Sequence, residues 1–161
     1  GVYSFCMCPG GYVVNASSED GFTAVNGMSY SGRNSSCANS AIIVSVSPED
    51  YPSKEVLAGM HFQRILERNA FTIAQGKVPI QKYGDYVNLL SEKNQLDTVS
   101  YSDDILAFEP EIKGQYALAD LTEILPLALN KAFVEGMTQL NHKIKGFSLN
   151  KKTSYLYCLP S

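Results

Sequence analysis

A chain of 161 residues, 45% of them hydrophobic and with a net charge of −3, can bury one compact core but offers no basic surface for tracking phosphates. Its Lys and Arg residues are scattered. The nearest cluster (Lys143, Lys145, Lys151 and Lys152) reads as a solvated face, which leaves no case for nucleic acid. No apolar run reaches the roughly 18 residues of a membrane span, and no basic-then-apolar leader opens the sequence. The expectation is a cytoplasmic protein, free of membrane, whose four cysteines stay reduced.

Gly1 to Phe5 already reads as a strand with no polar lead-in, which suggests a segment of a longer polypeptide. "GYVVNAS", "FTAVNGMS" and "SAIIVSVS" are rich in Val, Ile, Tyr and Thr and bounded by turn formers, so each predicts a strand. Asp20-Gly21 between the first two predicts a hairpin. The polar run from 29 to 40 is too long for a tight turn, and loops of that length are usually functional or disordered.

A helix is expected over 55–76, with Phe62, Ile65, Leu66, Ala70 and Ile73 on its apolar face. Residues 77–117 read as irregular, broken by Pro79, Gly84, Pro110 and Gly114, with a short helix in "DYVNLLSE" capped by Asp85. A helical region over 118–146 restarts at Pro126. Leu129, Phe133, Met137, Leu140 and Ile144 form its stripe, and it ends near Gly146. "TSYLYCLP" predicts a last strand. The class is α+β: an antiparallel, strand-rich N-terminal half (1–50) followed by helices packed on the sheet, in one domain over 1–161.

The stretch "CMCPGG" raises the chemical question. Cys6 and Cys8 are one residue apart, whereas zinc sites favour a spacing of two to four with a second pair downstream. Cys37 and Cys158 stand alone, and His61 and His142 lie in separate helical patterns. A zinc clip of Cys6, Cys8 and Cys37 with His61 or Cys158 is therefore the lesser reading, and no metal is expected. As alternate strand residues the two thiols would share one face. Pro9, Gly10 and Gly11 fit a plain turn or a backbone that lets a ligand come close. Asn26, Gly27 and Ser29 leave the same choice. Arg33 and Asn39 could anchor an anion or simply be solvated. No dinucleotide, P-loop, nucleophile-elbow or zinc-protease motif is present. A ligand- or protein-binding module without redox chemistry, built on the 29–40 loop, stays open as an alternative.

The ordered pattern from Val2 to Phe71 resembles one family. It runs CMCPGG, NGMS, an Arg, AN, then "LAGMHFQRILERNAF", with "KYGDY" (82–86) and "LADLTEILP" (118–126) as later landmarks. The chain resembles the bacterial FAD-dependent, NAD(FAD)-utilising dehydrogenases. The tail from Asn150 fits less well. The resemblance implies a substrate-side domain inserted between the halves of a split FAD-binding Rossmann domain, with FAD bound mainly outside this chain. It implies an oxidoreductase that is inactive as this fragment alone, with NAD(P)H as the donor the family's name points to. The partners implied are the flavin-binding domain of the same polypeptide and a small-molecule substrate. Pro9, Gly10 and Gly11 would then be backbone lining the flavin cavity, bordered by Asn26, Gly27 and Ser29. Arg33 and Asn39 would be polar anchors, and Cys6 and Cys8 the candidates for redox or proton transfer.

Overall fold

The computed structural model describes residues 1–94, 110–145, 147 and 155–157. The fold is α+β, with strands concentrated in the first third of the chain and helices following. Strands β1 (Val2–Cys8), β2 (Gly11–Asn15), β3 (Val25–Ser29) and β4 (Asn39–Val44) come first. Helix α1 (Ala58–Ile73), strand β5 (Val78–Lys82) and helix α2 (Tyr83–Asn94) follow. The short strands β6 (Ile112–Lys113) and β7 (Tyr116–Leu118), helix α3 (Leu127–Lys143) and strand β8 (Tyr155–Tyr157) complete the described elements.

The strands form three small sheets: β1 with β4, β2 between β3 and β6, and β5 between β7 and β8. The expected β2–β3 hairpin forms, antiparallel from Gly11 opposite Ser29 to Asn15 opposite Val25. Its connection, residues 16–24, is longer than a two-residue turn, and Gly21 takes a positive φ of 81° within it. β1 and β4 pair in register from Val2 opposite Val44 to Phe5 opposite Ala41, then slip by one residue before Cys8 reaches Asn39. Cys6 sits at that bulge with φ +50°. The bulge breaks the period of two, so the reasoning that put both thiols on one face does not hold across it.

Two apolar clusters hold the elements together. Phe62, Leu66 and Ala70 of α1 meet Tyr83, Tyr86 and Val87 of α2 and Leu129, Phe133 and Met137 of α3. Val13 and Val25 of the β2–β3 hairpin meet Val78 and Ile80 of β5, which ties two of the sheets. Tyr86 donates to the Asn130 side-chain oxygen inside the first cluster. Asn130, 2% exposed, donates in turn to the carbonyls of Thr122 and Leu125, so its polar atoms are satisfied where they are buried. Gly136 gives α3 a close approach to β1, since a Cβ there would meet the Val2 side chain at 2.3 Å.

Several expectations fail locally. Ile65 is 45% exposed and off the buried face of α1, while Ile144 closes α3 at 47% exposure. The described residues of 77–117 hold β5, α2, β6 and the start of β7. Pro79 reads as a breaker, yet in the parallel pair with β7 the bonds run from Val78 N–H to Gln115 and from Ala119 N–H to Ile80. A missing N–H at Pro79 therefore costs nothing toward β7. Helix α2 starts directly at Tyr83, which leaves Asp85 in its first turn and not at its cap. Two parallel pairs were not expected: β6 beside β2 of the N-terminal half, and β5 with β7 beyond it. Gly146, Lys151, Lys152 and Cys158 lie outside the described residues.

Candidate functional site

The β1–β2 turn, the end of β3 and the loop from 30 to 38 meet at one place. Gly10 turns the chain with φ +59°, and a Cβ built there would lie 2.2 Å from the Arg33 carbonyl oxygen. The Gly11 N–H donates to the Cys37 carbonyl at 2.7 Å, and the Ser35 hydroxyl donates to the Gly11 carbonyl at 3.2 Å. The Ser29 hydroxyl donates to the Pro9 carbonyl at 3.3 Å. The Asn39 side chain lies over Gly11 and Gly27, with its amide atoms 2.5 Å and 2.2 Å from where their Cβ atoms would be. Residues far apart in sequence are thus packed as one unit.

This packing changes the reason for the glycines. The close approach that Gly10, Gly11 and Gly27 permit is made by the chain itself, through Arg33 and Asn39, on the side where a Cβ would project. Pro9, Gly10, Gly11, Gly27, Ser29, Arg33 and Asn39 are brought together, and Cys8 pairs with Asn39 across β1 and β4. Asn26 sits next to Gly27 but exposed, opposite Val14. Cys6 is exposed on the bulge.

Two nitrogen groups at this place have unused hydrogen-bonding capacity among the described residues. The Asn39 amide nitrogen is buried and makes no hydrogen bond, which costs on the order of 1–3 kcal/mol. Arg33 is exposed on a loop whose backbone is fixed in the left-handed region at φ +44°. Its own N–H is bonded to the Tyr30 carbonyl at 3.0 Å, so the turn that presents the guanidinium is closed.

Sequence reasoning missed the residue that pins the loop. Glu111, just before β6, accepts from the Ser36 hydroxyl at 2.7 Å and from the Ser36 and Cys37 N–H groups at 3.1 Å and 3.2 Å. The Ser36 hydroxyl first, with these backbone donors, holds the Glu111 carboxyl down at about 2. Burial pushes the Cys37 thiol up, against the Ser36 hydroxyl, and the neighbouring Glu111 carboxylate adds to the rise, so this sulfur stays a thiol. β6 pairs in parallel with β2, and the Lys113 ammonium sits 4.1 Å from the centre of the Tyr12 ring. Tyr12 in turn meets Tyr30 edge-on at 5.6 Å. Glu111 follows a proline in a stretch without periodicity, so no local signal marked it.

Cys6, Cys8 and Cys37 are free thiols, and no group of three His, Cys, Asp or Glu side chains gathers for a metal among the described residues. A shallow cavity of about 240 Å³ lies elsewhere, lined by Leu90, Lys93, Thr122, Leu127 and Asn130, and contains none of the expected site residues.

The chain is 43% identical over 150 residues to an uncharacterized protein of Clostridium beijerinckii, a match that covers 92% of this chain. It spans only 26% of that relative's length. Residues 1–156 match the family described as FAD-dependent protein, C-terminal domain-like, and the chain belongs to that family.

Proposed function

We propose that this chain is the substrate-side domain of an FAD-dependent oxidoreductase of the dehydrogenase type, bordering the flavin and substrate cavity and inactive alone. In this reading it is inserted in a split FAD-binding Rossmann domain, which holds most of the cofactor, and the enzyme works in the cytoplasm. The bound flavin supplies hydride transfer, with NAD(P)H as donor. The residues of this chain bind and orient a small substrate through an acidic or carbonyl group, and exclude water beside it. Arg33 supplies the charge and the fork of donors that a carboxylate or phosphate takes up in bidentate fashion. The Asn39 amide, buried against Gly11 and Gly27, holds the turn beneath this loop.

One observation carries the reading beyond the family itself: Arg33 is exposed and unpaired among the described residues, on a loop fixed by Gly10, Ser35 and Glu111. A fixed loop presenting an unpaired cation is preorganised for an anion. The test is Arg33→Ala in the full-length flavoprotein, with sulfite as the probe, since this anion adds to oxidised flavin and bleaches its visible band. Loss of one charge-assisted contact, about 1.5–3 kcal/mol, weakens sulfite binding about tenfold or more. Unchanged sulfite affinity with the flavin still bound would remove Arg33 from the cavity.

A further inference from the structure

The two faces of the β1–β4 ribbon are both apolar, and only one is used. Opposed residues of an antiparallel pair share a face. Val2, Val44 and Ile42 therefore lie together on the inner face, where Val2 meets α3 and Ile42 and Val44 pack against the main cluster. Tyr3 with Ile43, and Phe5 with Ala41, make the outer face. There Tyr3 is 60%, Phe5 59% and Ile43 44% exposed, and Met7 on the bulge is 61% exposed. Four large apolar side chains thus stand in solvent on a ribbon where polar residues would ordinarily alternate.

β1 and β4 pair only with each other among the described residues, so each strand also has an unpaired edge. A lone two-stranded ribbon is marginal in water unless something packs on it, and an apolar edge is an aggregation hazard. α3 covers the inner face. Nothing described covers the outer one.

We infer that the outer face of β1–β4, centred on Tyr3, Phe5 and Ile43, is the surface on which the rest of the longer polypeptide docks. The inference rests on the reading above of this chain as one domain of a larger flavoprotein. The occupant follows from size and position. The matched region is 26% of the Clostridium relative, so most of that polypeptide lies outside it and is tethered at high effective concentration. The same strand runs from Phe5 through Cys8 into the Pro9–Gly10 turn, and Cys8 faces Asn39. Whatever covers Phe5 and Met7 is therefore next to the Arg33 site, which matches a ligand held partly by another domain. Small Ala41 opposite Phe5 leaves room for an inserted side chain.

The test places the photoreactive analogue p-benzoylphenylalanine at position 5 of the full-length polypeptide, irradiates it at a dilution where it is monomeric, and maps the cross-links by mass spectrometry. Cross-links to segments outside the region matched by residues 1–156 are expected. Cross-links confined to this domain, cross-links only to a second copy, or none at all would overturn the docking surface. The flavin absorbance of the same sample separates the two ideas. External cross-links in a colourless protein keep the docking and remove the flavin reading, and a yellow protein without them does the reverse.

Discussion

Substituting Gly10 by Ala tests the packed turn at its tightest point. Two costs add there. A non-glycine residue at φ +59° loses about 1–2 kcal/mol against the left-handed conformation. The new Cβ also falls 2.2 Å from the Arg33 carbonyl oxygen and 2.5 Å from its carbon, both backbone atoms that cannot swing away. Forcing them apart costs about 1–3 kcal/mol more, the range for overpacked sites. The sum is about 2–5 kcal/mol. Gly21 is the control, because it has φ +81° but nothing within 4 Å of its Cβ position, so Gly21→Ala carries only the conformational cost of about 1–2 kcal/mol. Urea unfolding of the two variants beside the parent chain gives the difference directly, read from midpoints at constant slope. Gly10→Ala should be the less stable by about 1–3 kcal/mol. Equal losses would show that the Arg33 carbonyl does not rest on Gly10. The folding defect is expected to accompany any loss of activity, contrary to a turn kept bare for a ligand alone.

Further outcomes follow from the same contacts. The Glu111 carboxyl is held at about 2, below its ordinary 4.5, so the stability it lends is fully present above pH 4.5 and is lost as pH falls toward 2. Glu111→Gln should flatten that part of a denaturation-versus-pH profile, and an unchanged profile would show that Ser36 and Cys37 are not anchored through it. Asn130→Ala removes two bonds to buried carbonyls and the acceptor for Tyr86, and should lower stability by about 3 kcal/mol in thermal or urea unfolding. A loss below about 1 kcal/mol would mean that water replaces those bonds. Arg64 binds the Glu19 carboxylate through both guanidinium nitrogens at 2.9 Å and 2.8 Å, and its guanidinium also lies over the Phe22 ring, but at 40% exposure. Arg64→Lys should change the unfolding midpoint little, since exposed pairs contribute about 0–1 kcal/mol.

The sequence made the alternating and amphipathic elements legible. The apolar stripe of α3 carries a helical period that burial enforces, while β2 and β4 were legible from their runs of β-branched residues between turn formers, and all three elements form. β5 was hidden because a strand buried on both faces has no alternation, and Pro79 masqueraded as a breaker. Ile65 was misplaced because its spacing fits a helical stripe as well as Phe62 does, and only the packing partner decides the edge of such a stripe. At the candidate site, the turn and loop residues were legible as types suited to tight backbone. What they touch was not. Asn39 over Gly11 and Gly27 is a tertiary contact, and Glu111 reaches the loop across 75 residues by way of the short β6. No local pattern encodes either.

In the proposed reading this chain is one part of a split flavin site. The visible absorption spectrum of the full-length polypeptide, purified without added cofactor and set beside that of residues 1–161, tests it most directly. Flavin bands are expected in the long protein and none in the 161-residue chain. A folded but colourless long protein, or a 161-residue chain that keeps the full flavin spectrum alone, would contradict it.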